Sequence, residues 1–356
     1  MSTPAIRLSI CIATLNRAAF IGETLESMIS QATGDVEIVI VDGASSDNTE
    51  QVVQGFRKRF PSLRYFRQET NMGVDRDYNR AVELASGEYC WLFPDDDLLK
   101  PGAIQTVLSE SCRGYEAIIV NAEVRNSDIS SLIEERRLRI TENRVYGPDQ
   151  AESFFADTAS YLSFIGGVVI KRDSWLARER ERYFGSLFVH VGVLYQQPFP
   201  GDILVIAEPL ISIRYGNAQW TSRSFEIWMF KWPELIWSFE DFSESAKSRV
   251  LPLSRHPWTH PVALMEYRAI NAYSLNEYRK WIKPRMKSLW RNLLAGMIAA
   301  TPGCLVNFLV ISVIMVRKWD EPLLVVDARN SPFHYRSCIK RLFQKKNKVE
   351  KSCRRP

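Results

Sequence analysis

Through its first 125 residues the chain alternates short runs of β-branched and other apolar residues with longer stretches of helical spacing, and few folds accommodate that rhythm. Residues 8–13, 36–41, 63–66, 89–93 and 117–120 read as strands. Several are apolar almost without interruption, so both of their faces must be covered. Residues 20–32, 48–60, 76–85 and 102–111 read as helices between them. Asp47 suits the N-cap of the second helix and Pro101 the first turn of the fourth. Strand and helix units of this length predict an α/β protein with a Rossmann-like, mostly parallel sheet and helices on both faces.

In such a sheet ligands gather beyond the carboxyl ends of the strands. The first strand runs into Thr14-Leu15-Asn16-Arg17, the second into Asp42-Gly43-Ala44-Ser45-Ser46-Asp47 and the fourth into Pro94-Asp95-Asp96-Asp97, so three polar clusters are expected on one rim. The aspartate triplet says most. In an extended loop, side chains at i and i+2 point the same way, so Asp95 and Asp97 face one ligand while Asp96 turns aside. Neighbouring carboxylates repel unless a cation compensates them, and hard oxygen donors suit Mg²⁺ or Mn²⁺, ions that commonly accompany phosphates. An acidic turn ahead of Pro101 would account for one aspartate but not for three.

Residues 10–17 (ICIATLNR), 39–49 (VIVDGASSDNT), 71–79 (NMGVDRDYN) and 85–99 (ASGEYCWLFPDDDLL), in that order and spacing, resemble the nucleotide-binding half of family 2 glycosyltransferases, which have the GT-A fold. Residues 64–93 further resemble the bacterial abequosyltransferase-like branch, which adds a dideoxyhexose in O-antigen assembly. The likeness covers roughly residues 6–125 and is vague beyond them. It implies a metal-dependent transfer of a sugar from a nucleoside diphosphate to a hydroxyl. By that likeness Thr14 and Asn16 line the nucleotide pocket, Asp42 binds the base, and Asn71, Gly73 and Arg76 lie along the nucleotide-sugar wall, with Arg76 toward the diphosphate. Asp95 and Asp97 supply the DxD function, and Asp96 is counted with Asp95 among the nucleotide-sugar-binding residues. Asp97 is the expected direct metal ligand, and Asp95 faces the ribose or a metal-bound water.

Releasing a diphosphate calls for a Lewis acid to hold the developing charge, and the acceptor hydroxyl calls for a general base. In the family the base is a carboxylate well beyond the metal motif. The corresponding stretch here, residues 188–194 (FVHVGVL), contains none. His190, with an unperturbed pKa of about 6.5, is the candidate to replace it, ahead of Asp173 and Asp202. Gly166-Gly167 would permit close backbone approach to a sugar or mark a bulge. Trp220, Trp228 and Trp232 could stack on a glycan, although the i, i+4 pair Trp228 and Trp232 reads first as core. His256 and His260 have helical metal spacing, but Pro257 and Pro261 break that helix, so no zinc site is expected.

Residues 126–146 are charged and weakly periodic, 164–170 read as another strand, and 222–242 and 262–292 as mainly helical. Residues 293–316 carry no charge over 24 positions, long enough to span a bilayer, yet Thr301-Pro302-Gly303 interrupts them and Asn307 follows. Two short apolar helices are expected there. The net charge of +5 is misleading: residues 336–356 hold nine Lys or Arg against one Glu, a local +8, which leaves −3 for the remainder. The basic character is therefore a tail and not a nucleic-acid-binding face. The six cysteines form no CxxC pair, and the start lacks the layout of a signal peptide, so reduced thiols in the cytoplasm are expected.

These readings predict a donor half at 1–125, an acceptor side at 126–220, a helical aromatic-rich region at 221–335 with an apolar hairpin at 293–316, and a polybasic tail at 336–356. The expected activity is metal-dependent transfer from a nucleoside-diphosphate sugar to a lipid-linked oligosaccharide of a bacterial surface polysaccharide. It would take place at the inner face of the cell membrane, where anionic lipid attracts basic segments. A nucleotide-sugar-binding scaffold without turnover is the alternative. A sugar-nucleotide pyrophosphorylase would need a Gly-rich loop after the first strand, where this chain has Thr14-Leu15-Asn16-Arg17.

Overall fold

Apolarity on both faces is realised in β1 (Leu8–Thr14) and β2 (Val36–Asp42), two neighbouring strands with no exposed residue. The computed structural model describes residues 5–217, 219–252, 255–317 and 322–337, so the basic tail from 338 onward and the Trp220 side chain lie outside it. The remaining strands are β3 (Leu63–Arg67), β4 (Tyr89–Phe93), β5 (Leu98–Leu99), β6 (Ala117–Arg125), β7 (Leu132–Glu134), β8 (Arg144–Tyr146), β9 (Val168–Lys171) and β10 (Ile203–Arg214). Helices α1 (Ile21–Ile29), α2 (Thr49–Arg57), α3 (Val74–Leu84) and α4 (Ala103–Ser111) connect the first six strands. Each lies within a few residues of the range that the sequence predicts.

The strands form a ten-stranded sheet in the order β3-β2-β1-β4-β9-β6-β10-β5, with β7 on β6 and β8 on β10. Its first half is parallel, as α/β crossovers require, and β10 runs parallel to β6. β9 enters antiparallel between β4 and β6, so the sheet as a whole is mixed. The predicted strand 164–170 is shortened by a 3₁₀ turn at Ile165–Gly167 before β9. That turn is crowded: a Cβ on Gly166 would lie 2.4 Å from the Phe164 ring and 3.0 Å from Pro94, and the Trp91 indole donates to the Gly166 carbonyl. Gly166 thus packs against Pro94, the residue just before the aspartate triplet, while Gly167 lies against the Tyr161 ring.

α5 (Ala151–Thr158) precedes β9, and after β9 come α6 (Arg172–Ala177) and α7 (Val189–Tyr195), all seven of whose residues are buried. The chain divides into two units, Met1–Asn217 with Leu235–Pro252 and Ala218–Glu234 with Leu253–Pro356. The second unit is helical. Phe225, Tyr273 and Ile282 pack with Ala295, Ile298 and Ala299 in one cluster, while Ala269 packs with Val306, Val310 and Ile314 in another. The apolar stretch forms two helices, Leu289–Ala300 and Gly303–Arg317, bent by 101° at the predicted break. No single helix among the described residues is long and apolar enough to cross a membrane.

Candidate active site

Register brings the polar clusters together. Thr14 ends β1 directly opposite Asp42 at the end of β2, and β4 flanks β1 on its other side, so Pro94–Asp97 leaves the same rim. Asn16 sits in the left-handed region at φ 54°, which Asn tolerates better than most residues. There its side-chain oxygen accepts from the Ser46 amide at 2.7 Å and the Asp47 amide at 3.3 Å. Asp47 accepts in turn from the Thr49 amide at the start of α2, which meets the capping need expected of it one residue earlier than the cap position.

Asp42 is fully buried. Its two oxygens accept from the Ser45 amide at 2.7 Å and the Tyr65 hydroxyl at 2.6 Å. Beside it stands Asp77, a residue the sequence reading passed over. Burial, with the charge of Asp42 added, raises its pKa to about 6. A Cβ on Gly43 would come within 2.9 Å of an Asp77 oxygen, so the β2 exit fits this carboxyl only because residue 43 has no side chain. Asn71, Gly73 and Arg76 are exposed where α3 begins. Gly73 takes φ 91°, a value that strains any L-residue, and donates its amide to Asn71 Oδ1. The Arg76 guanidinium lies 4.6 Å from the Phe184 ring centroid.

The triplet is buried: Asp95 and Asp96 are each 8 % exposed and Asp97 3 %. Two arginines hold it. Arg17 Nε donates to Asp95 at 3.1 Å and its Nη2 to Asp96 at 2.8 Å, while the Arg214 amide donates to Asp97 Oδ1 at 2.7 Å and its Nε to the Asp96 carbonyl. Two cationic side chains do not offset three buried carboxyls. Burial and the Asp96 charge raise Asp95 to about 7 against the pull of Arg17, and burial with the same neighbour lifts Asp97 well above the carboxylate range. Ionising all three would leave a surplus of negative charge, which a hard divalent ion would offset. No group of three or more His, Cys, Asp or Glu among the described residues converges on one point. The donor set therefore suits an ion held by one or two carboxylates and completed by water and phosphate.

His190 lies in α7, 1 % exposed, with Nε2 2.8 Å from the Leu162 carbonyl oxygen. Nε2 must donate there, which leaves Nδ1 as a buried lone pair without a hydrogen-bond partner. Burial lowers its pKa to about 4, so the ring is neutral. The segment leading into α7 is tied to α3 by Asp75, which accepts from the amides of Gly185, Leu187 and Val189 at 2.8, 2.9 and 3.1 Å. Asp173 and Asp202 sit elsewhere. Asp173 follows β9, whose end pairs with the first residue of β4, and Asp202 precedes β10; both mark the amino edge of the parallel strands, opposite the triplet.

Comparison with known proteins agrees with this geometry. Residues 9–165 match the model of glycosyl transferase family 2. Over 228 residues the chain is 31% identical to abequosyltransferase RfbV of Salmonella typhimurium, a match covering 59% of this chain and 67% of that protein. The chain belongs to glycosyl transferase family 2. This transferase is also 33% identical over 116 residues to the GalNAc(5)-diNAcBac-PP-undecaprenol beta-1,3-glucosyltransferase of Campylobacter jejuni, covering 32% of this chain and 38% of that one. Its fold matches a crystal structure of S. aureus TarS residues 1–349, with a TM-score of 0.55 at 16% identity over 91% of this chain and 89% of that one. The GT-A expectation thus holds, and the protein is a nucleotide-sugar-dependent glycosyltransferase.

Sequence reasoning missed Arg17 as the partner of the triplet, Arg214, Asp75 and Asp77. Arg17 lay inside a quoted motif, and its charge opposite three carboxylates was the available signal. Arg214 had none, because 117 residues separate it from Asp97.

Proposed function

We propose that this transferase moves a sugar, a dideoxyhexose in the reading closest to its RfbV-like sequence, from a nucleoside diphosphate to a hydroxyl of a lipid-linked oligosaccharide. The reaction serves bacterial surface polysaccharide synthesis on the cytoplasmic side of the membrane. The observation that carries the reading is the buried, incompletely compensated triplet on the rim shared with Thr14 and Asp42.

In this reading Asp42 and Thr14 receive the base, with Asn16 shaping the loop that closes over it. Asn71, Gly73 and Arg76 form the outer wall, and Arg76 turns from Phe184 toward the diphosphate. Asp97, aided by Asp95, would hold Mg²⁺ or Mn²⁺, and Asp96 keeps Arg17 beside the site. The ion, when bound, supplies the positive charge that stabilises the departing diphosphate. Arg17 adds a second cation on the same side. His190, kept neutral, offers Nδ1 as the base for the acceptor hydroxyl once substrate opens a path to it.

The test is calorimetric titration of CDP, UDP, dTDP and GDP into the protein with and without Mn²⁺, repeated on Asp97→Ala. Metal-dependent binding of one nucleotide, weakened at least tenfold by the substitution, supports the reading. Equal binding by both proteins would remove Asp97 from the site.

A further inference from the structure

We propose that the helices Leu289–Ala300 and Gly303–Arg317 form a monotopic membrane anchor that lies in the plane of an anionic leaflet, with its outward apolar faces among the acyl chains. The proposal deepens the reading that the acceptor is lipid-linked, and the surface itself is argued from other residues.

Both helices are apolar on two sides. Toward the protein, the first helix buries Ala295, Ile298 and Ala299 and the second buries Val306, Val310 and Ile314. Asn307, the polar residue within the apolar run, also points inward, donating to the carbonyls of Ala269 and Ala328 at 3.1 and 2.8 Å. Toward solvent, Leu289, Leu293 and Met297 follow one another at i, i+4 and i+8, and Leu305, Phe308 or Leu309, Val313 and Val316 do the same on the second helix. Of the eighteen large hydrophobic side chains that the described residues expose, eleven fall between residues 289 and 316. A helix apolar all round belongs in a core or in lipid, and here only half of each is in a core.

Charge selects lipid over a second copy of the chain or a protein groove. Between Glu277 and Asp320 the sequence has no acidic residue, while six basic residues fall between Arg279 and Arg291. Lys283, Arg285, Lys287 and Arg291 are exposed beside the apolar faces. Self-association would set these cations against their own copies. Trp290, 81 % exposed at the amino end of the first helix, has the amphipathic ring favoured at headgroup depth. The 101° bend keeps one helix from continuing the other across a bilayer, and the break is clamped from within by Arg268, which donates to the Thr301 carbonyl at 2.9 and 3.0 Å. A bent pair so held suits one leaflet, where apolar area and basic charge act together.

The experiment is co-sedimentation of the full chain with phosphatidylcholine vesicles and with vesicles containing phosphatidylglycerol, at low and high salt. The wild type is compared with Trp290→Ser/Phe308→Ser and with Leu293→Ser/Val313→Ser, all outward positions. The wild type should pellet with anionic vesicles, retain part of that binding in high salt, and have its tryptophan fluorescence quenched by brominated lipid. Either double variant should partition at least tenfold more weakly while binding nucleotide unchanged. Vesicle binding equal in all three proteins, or none by the wild type, overturns the anchor. So does a lipid-free dimer that the same substitutions dissociate. Failure of nucleotide binding in the wild type would refute the donor site and leave the vesicle result standing.

Discussion

Replacing His190 by glutamine separates a buried neutral imidazole from an ordinary one. The folded ring has a pKa of about 4 and the unfolded ring about 6.5. Between those values the unfolded chain takes up a proton that the folded chain refuses, so this residue's contribution to stability is intact near pH 7 and is lost as pH falls through that window. At pH 5 the linkage amounts to about 2 kcal/mol relative to pH 7. His190→Gln retains a donor for the Leu162 carbonyl and has nothing to titrate, while every other group titrates alike in the two proteins. Urea unfolding of both at pH 7 and pH 5 should therefore show the wild type losing about 2 kcal/mol more than the variant on acidification. Equal losses would mean that the ring is not held neutral. The same variant speaks to catalysis: a base at Nδ1 predicts a roughly 10²- to 10⁴-fold drop in kcat with nucleotide affinity retained.

Arg17→Met leaves Asp95 and Asp96 without their shared cation, a loss expected to cost about 3–5 kcal/mol in metal-free protein; Mn²⁺ should then raise the thermal midpoint of the variant more than that of the wild type, and an equal rise would place the ion elsewhere. Asp75→Ala strands three amides at the approach to α7 and should lower stability by about 1–3 kcal/mol in chemical denaturation, with proteolytic nicking near Gly185 appearing first. Gly43→Ala sets a methyl within 2.9 Å of Asp77 and should weaken nucleotide binding in calorimetry while the far-ultraviolet circular dichroism stays unchanged.

The parallel half of the sheet was readable because its strands are apolar on both faces and its helices are short and amphipathic, so period and composition agreed. β10, twelve residues long, went unread: Pro209 and Glu208 interrupt its pattern, and they fall where its register against β6 shifts. The helical stretches of the second unit were legible in kind but not in detail, since local spacing gives no sign of the π-helical turns at Ile227–Lys231 and Tyr278–Ile282. At the site, Thr14, Asp42 and the triplet could be placed on one rim because strand ends are local features of a sequence. The part of its compensation that Arg214 supplies could not, because the strand that carries Arg214 to Asp97 has a position that depends on the whole sheet.

That arrival has a consequence for how the protein is made. While a ribosome has delivered only the first two hundred residues, Asp97 faces Asp95 and Asp96 without the amide of Arg214, and Arg17 lacks the Asn217 carbonyl that helps to hold it. The triplet thus owes part of its hydrogen bonding to a segment more than a hundred residues downstream. A fragment ending at residue 125 would keep the sequence motifs and Arg17 but lose the donors that Arg214 supplies to Asp96 and Asp97. Completion of the hydrogen bonding around the triplet is therefore tied to completion of the sheet.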